Sequence, residues 1–435
     1  MSGVRILGDL RPQLRTSVPG PASRQLASEI AALECPSFEE RRGARAQTSG
    51  LDFSPVVYAR AHGDNVEDAD GNVLVDLCAG FGALALGHTH EGVTRAYEER
   101  ARSLGLALGD VYGSAEKHAL CTRLAALVGP GARVLFGLSG ADAVTAALKT
   151  AVLATGKPGV VAFEGSYHGL SHGPLAACGL GENFRAPFAA QLNPHVHFAP
   201  FPVLAADLDA SVSAVRRALS LGTVGAVLFE PLLGRGGCLP PCAAFLPALR
   251  ALCTEFSAVL IADEVWTGLG RSGAMIHSGG LADVVCLGKS LGAGLPISAC
   301  VGRAEVMAAW GAHGGSYVHT STHVAAPPAC AAACVALDTI VGEKLPERAA
   351  VLGQCMQDVF PDLAMTGRGL MLGVPCGSQP RALAAMRQLL ARGYIVLTGG
   401  VGGDVLTLSP ALNVHEPLLH AGLVAVREVL AELVI

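Results

Sequence analysis

The sequence predicts an α/β fold: a large domain with a mostly parallel sheet flanked by helices, a smaller α+β C-terminal domain and an N-terminal arm. Two observations predict it. From about residue 115 to about 330, apolar runs of strand length alternate with helix-like segments, as at 133–137, 159–163, 226–230, 259–263 and 284–288. Two of these runs end abruptly in ionisable groups: Ala258-Val259-Leu260-Ile261-Ala262 stops at Asp263, and Val284-Val285-Cys286-Leu287 leads through Gly288 to Lys289. Short buried runs of this kind read as parallel strands opening into a site, and ligands collect beyond the carboxyl ends of such strands.

Before that alternation, residues 1–75 read as an arm and a hairpin. Pro19-Gly20-Pro21 punctuates the arm, Ser23 to Leu33 suits a short helix, and Glu39 to Ala46 is a charged stretch. The Asp70-Gly71-Asn72 turn signal between extended stretches predicts a hairpin. Residues 76–330 form the large domain. After Pro327-Pro328 an alanine-rich helix, Ala329–Ile340, leads into the small domain at 331–435.

Composition narrows the class. Hydrophobic residues make up 51% of the 435 residues and charged residues 15%, which leaves apolar surface for subunit contact. A formal charge of -5 argues against nucleic acid as a partner. No apolar run reaches the roughly 18 residues that span a membrane, and the N-terminus, with Arg5, Asp9, Arg11 and Arg15, lacks a signal-peptide core. Thirteen scattered cysteines read as reduced core residues of a cytoplasmic protein. The Cys238/Cys242 and Cys330/Cys334 pairs lack a histidine at zinc-site spacing, so no metal is expected.

An acid and an amine side by side at strand ends suit pyridoxal 5'-phosphate. The lysine condenses with its aldehyde, and the aspartate keeps the pyridine nitrogen protonated. The chain has only five lysines, Lys117, Lys149, Lys157, Lys289 and Lys344, and Lys289 alone follows a buried strand and precedes a glycine-rich loop. A buried lysine is readily shifted toward the neutral, nucleophilic amine.

Other segments fit the same pocket but also have plainer readings. Ser139-Gly140-Ala141 before a helix opened by Asp142 suits a phosphate, or is simply a capped helix start. Tyr167, in Glu164-Gly165-Ser166-Tyr167-His168-Gly169, suits a pyridine ring or an ordinary core. His319-Thr320-Ser321-Thr322 offers hydroxyls to a phosphate or to the next helix.

Together, Ser139–Lys149, Phe163–Gly169, Glu230–Gly237, Ile261–Gly273, Leu287–Pro296 and His319–Pro327 resemble the class III aminotransferases of pyridoxal-phosphate fold type I, over residues 20 to 415 or so. The resemblance implies Lys289 as the cofactor-bound lysine and acid/base, and Asp263 as partner of the pyridine nitrogen. It implies Ser139, Gly140 and Ala141 as the phosphate cradle, Tyr167 as the stacking aromatic, and His168 beside it as a further cofactor contact. Ser321 and Thr322 match a loop that reaches the neighbouring subunit's phosphate, which implies a homodimer with composite sites. The implied activity is ping-pong transfer of an amino group from a small-molecule donor to an oxo acceptor. An aminomutase, epimerase or decarboxylase would use the same Lys289 and Asp263.

Departures from the family pattern fall in the substrate region. Where members often carry Glu-Pro-x-x-Gly-Glu-Gly-Gly, this chain has Arg235 in place of the second glutamate, and Thr407 stands at the position of its arginine partner. Both halves of an ion pair have changed together, which suggests that Arg235 takes a substrate carboxylate. Phe81 stands at a substrate-facing aromatic position, Trp266 where a glutamine often contacts the cofactor, and Ala326-Pro327 where Asn-Pro is usual.

Overall fold

A computed structural model describes residues 7–312 and 316–433. Arg5 of the arm lies outside the described residues. The arm holds two helices, Pro21–Ala31 and Ser37–Ser49, so the charged stretch is helical. Strands β1 (Tyr58–His62), β2 (Asn65–Asp68) and β3 (Val73–Asp76) follow, with β2 and β3 antiparallel as the turn signal predicts. Asp68 closes that turn: its Oδ1 accepts from the backbone N–H of Asp70 at 3.0 Å and of Asn72 at 2.8 Å.

The large sheet has seven strands: β4 (Arg133–Gly137), β5 (Gly159–Phe163), β6 (Val196–Ala199), β7 (Val224–Phe229), β8 (Val259–Asp263), β9 (Val284–Leu287) and β10 (Ser298–Gly302). Their spatial order is β4-β10-β9-β8-β7-β5-β6. The pairs β5/β6, β5/β7, β7/β8 and β8/β9 are parallel; β10 alone runs against both its neighbours.

Both faces of this sheet are covered, which is why its strands are apolar runs rather than alternating ones. One face packs on Ala143, Val144 and Ala147 of the helix Gly140–Thr155. The other holds a cluster centred on Phe163, Phe229 and Phe245, with edge-to-face rings. The alanine-rich helix spans Pro327–Gly342 and packs against the helices Glu91–Ser103 and Ala115–Val128.

Toward the C-terminus, β11 (Thr366–Arg368), β12 (Met371–Pro375), β14 (Leu397–Gly399) and β15 (Val405–Leu408) form an antiparallel sheet in the order β11-β12-β15-β14. The short β13 (Tyr394–Ile395) instead pairs in parallel with β3, so the N-terminal hairpin is knitted to the C-terminal part of the chain.

The strand order positions the site. In register, Asp263 lies opposite Cys286, and Ala262 opposite Phe229. The carboxyl ends of β9, β8, β7 and β5 therefore carry Lys289, Asp263, Glu230 and the Tyr167-His168 loop to one edge of the sheet.

Candidate active site

A cavity of about 280 Å³ at that edge is lined by Lys289, Asp263, Glu230, Tyr167, His168, Gly140, Ala141, Arg235 and Trp266, among others. Lys289 is half-buried, and its backbone is left-handed (φ +34°), a conformation that a non-glycine residue adopts only where its surroundings impose it. Its Nζ lies 4.1 Å from the centroid of the Trp266 ring. Among the described residues no carboxylate lies within ion-pair distance of it. Burial, against the smaller opposing effect of Asp263 and Glu230, brings the amine down to about 8.

Asp263 is also buried. Its Oδ1 accepts from the Val265 N–H at 3.1 Å, and its Oδ2 lies 2.7 Å from His168 Nδ1. The other ring nitrogen of His168, Nε2, is buried without a partner in the protein. His168 thus touches the aspartate directly.

Glu230 is a site residue that the sequence reading passed over, although it ends an apolar run as Asp263 does. Its Oε2 accepts from Tyr167 N–H at 2.8 Å and its Oε1 from Gly234 N–H at 3.1 Å. One carboxylate thus fixes both the tyrosine loop and the loop of Arg235. Burial raises the Glu230 carboxyl to about 7.

The helix Gly140–Thr155 starts at the cavity, two residues before Asp142, the residue expected to open it. Ser139 is its N-cap, with Oγ accepting from Asp142 N–H at 3.2 Å. The first-turn N–H groups have no intrahelical acceptor and face an anion favourably. Gly140 is required here by close approach: a Cβ would sit 2.6 Å from Val265 Cγ1. Ser139 caps this helix without lining the cavity.

Phe81, Thr407, Trp266 and Arg235 line a second, outer cavity of about 420 Å³. Phe81 is 59% exposed, and Thr407 is buried with Oγ1 3.4 Å from Leu397 O. Arg235 and Trp266 belong to both cavities; the Arg235 guanidinium lies 4.6 Å from the Tyr167 ring centroid. The Trp266 Nε1 is buried without a partner and lies against Gly82. Ser321 and Thr322 line neither of these cavities. Their loop is tied to the phosphate-side helix by His319, 3.3 Å from Asp142, and the Ser321 hydroxyl is buried without a partner.

The arrangement has room and chemistry for an electrophilic carbonyl at Lys289, a cationic nitrogen at Asp263, a flat ring beside Tyr167 and a phosphate at the helix start. Across residues 47–430 the chain matches the family described as Aminotransferase class-III. It belongs to the class III aminotransferases. These enzymes depend on pyridoxal phosphate, and the residues present fit that group: a buried acid and a lysine free of ion pairs, a glycine-tight helix start, and an orphaned histidine nitrogen on the ring that contacts the acid.

This aminotransferase is 37% identical to the acetylornithine aminotransferase of Methanopyrus kandleri over 388 residues, covering 86% of this chain and 94% of that one. It is 34% identical to the 4-aminobutyrate aminotransferase of Mycobacterium tuberculosis, covering 97% and 98%. A solved amine transaminase from an uncultivated Pseudomonas species, in its pyridoxal-phosphate-bound form, superposes with a TM-score of 0.77 at 28% identity, covering 87% of this chain and 95% of that one. The chain is therefore a pyridoxal-phosphate-dependent aminotransferase with a fold type I architecture.

Proposed function

We propose that Lys289 holds the cofactor and carries the proton of a ping-pong transamination, with Asp263 paired to the pyridine nitrogen. The observation that carries this reading is a lysine amine, free of ion pairs and depressed by its surroundings, lining one cavity with a buried aspartate. Pyridoxal phosphate supplies an electron-withdrawing ring whose aldehyde carbon exchanges the amino group. With the cofactor bound, Lys289 Nζ would take the proton from the substrate carbon and return it in the second half-reaction. Asp263 would hold the nitrogen's positive charge, and His168, hydrogen-bonded to it, keeps the aspartate oriented. Tyr167 would pack against the ring, with Glu230 fixing its loop. Gly140 and Ala141 would hold the phosphate, at a helix start that Ser139 caps.

In the outer cavity, Phe81, Trp266 and Thr407 shape the substrate's path, and Arg235 takes an anionic group of donor or acceptor. The relatives named for acetylornithine and 4-aminobutyrate support a donor whose amine is carried on a chain that also bears an anion. Ser321 and Thr322 complete the neighbour's phosphate pocket in a homodimer, a reading supported by the unpartnered Ser321 hydroxyl. Residues 1–75, 76–330 and 331–435 act as arm, cofactor-binding domain and small domain. We place the enzyme in the cytoplasm: its cysteines are all unpaired, and no helix of the described residues is long and apolar enough to cross a membrane.

Absorbance of the bound cofactor tests the function. An amino donor alone should bleach the visible band, and an oxo acceptor alone should restore it. A reaction that proceeds to product with no acceptor present would assign the chain to another activity.

A further inference from the structure

Three guanidinium groups meet at the outer cavity with no acid to answer them. The helix Ser37–Ser49 carries Arg41 and Arg45 four residues apart, hence on one face. Both line the 420 Å³ cavity together with Arg235. Among the described residues none of the three forms an ion pair. The neighbouring cations are engaged elsewhere: Arg42 pairs with Glu39 at 2.8 Å, and Arg387 donates to Ser54 O at 3.3 Å.

The three also disturb one another. Burial and then Arg41 and Arg235 bring the Arg45 guanidinium down to about 10, and burial with Arg235 lowers Arg41. Like charges gathered in a half-enclosed space are unfavourable unless a ligand neutralises them. A carboxylate carries one charge and two oxygens, which satisfy a single guanidinium fork. A phosphate monoester carries nearly two charges and three acceptor oxygens. The cofactor's own phosphate is accounted for at the start of the helix Gly140–Thr155, and neither Gly140 nor Ala141 lines the outer cavity.

We propose that the outer cavity is a phosphate-monoester subsite, formed by Arg41, Arg45 and Arg235, and that the amino donor carries a phosphate at the end away from its amine. This rests on the reading that the amine end reacts at Lys289, and it deepens the role given to Arg235. Such a donor is supplied by a phosphorylating reaction upstream.

Calorimetric titration of the cofactor-loaded enzyme tests it, with propyl phosphate, butyrate and glutarate as probes and the cofactor absorbance followed to show that none is displaced. Propyl phosphate should bind about tenfold or more tighter than either carboxylate, as expected when at least one further charged hydrogen bond forms. Arg41→Ala and Arg45→Ala should each remove most of that preference, and Arg45→Lys should restore part of it. Equal affinity for the three probes would overturn the proposal, as would unchanged phosphate affinity in Arg41→Ala/Arg45→Ala. Failure of any anion to bind, because a partner subunit's acids already occupy the arginines, would overturn it too. The wild-type half-reaction with a panel of primary amines stands apart from this: if none bleaches the cofactor band, the Lys289 reading fails whatever the anions do.

Discussion

His168 Nδ1 lies 2.7 Å from Asp263 Oδ2, and both side chains are buried. The acid expected to hold the cofactor nitrogen is thus itself held by an imidazole ring that lines the same cavity. Such a contact fixes which way the carboxylate faces.

His168→Ala should lose one charge-assisted bond, about 1.5–3 kcal/mol, and so roughly ten- to hundredfold in turnover. His168→Gln, which still offers an N–H, should recover part of the loss. The pH dependence of the bound cofactor's absorbance should shift in His168→Ala, because the aspartate no longer has a fixed partner. An unchanged profile would make His168 a packing residue only.

Glu230 joins two loops through two accepted N–H bonds. Glutamine keeps one acceptor and turns an N–H₂ toward the other donor. Glu230→Gln should therefore cost about 1–3 kcal/mol of stability in urea melts. The visible circular dichroism of the bound cofactor should weaken as Tyr167 loosens. A variant with wild-type stability and spectrum would show that these bonds are dispensable.

The arrangement of Lys289 was legible in the sequence because burial of a parallel strand leaves a continuous apolar run, and an ionisable residue placed at its end seldom serves packing alone. Ser139 was legible for a similar local reason, the chemistry of a helix cap. The insertion of β10 between β4 and β9 was not, since pairing partners across a sheet leave no mark in the residues of one strand. Glu230 shares the strand-end pattern of Asp263, but its partners, Tyr167 and Gly234, come from two loops whose meeting depends on strand order. The helix Ser37–Ser49 gave only a charged stretch, because docking against the rest of the chain decides which of its arginines turn inward.

Burial disfavours the charged amine of Lys289, bringing it to about 8 from 10.5. In cofactor-free protein the unfolded chain then binds more protons than the folded one between those values. Its stability contribution is present above 10.5 and is lost as pH falls through 8, so this group makes stability rise with pH across the window. Urea midpoints of cofactor-free protein at pH 8 and pH 10 should show a steeper rise in wild type than in Lys289→Met. Parallel curves would mean that the amine is solvated.

Arg235 and Thr407 are brought to one wall by β14: Leu397 pairs with Thr407, and Gly400 N–H donates to Arg235 O at 2.9 Å. Arg235→Ala should raise KM for anion-bearing substrates by roughly tenfold or more, since a hydrogen bond to a charged group contributes about 1.5–3 kcal/mol. Plain alkyl amines should suffer much less in stopped-flow half-reactions. Arg235→Glu combined with Thr407→Arg should shift preference toward ordinary α-amino acids. Equal losses for charged and uncharged substrates would make Arg235 structural.

Reduction with borohydride tests most directly whether Lys289, one lysine of five, holds the cofactor. Treatment of the cofactor-loaded enzyme should abolish the visible band and leave the cofactor fixed to a single peptide. Mass mapping should place it on Lys289, and Lys289→Ala should take up no label. Label on Lys117, Lys149, Lys157 or Lys344 would contradict the assignment.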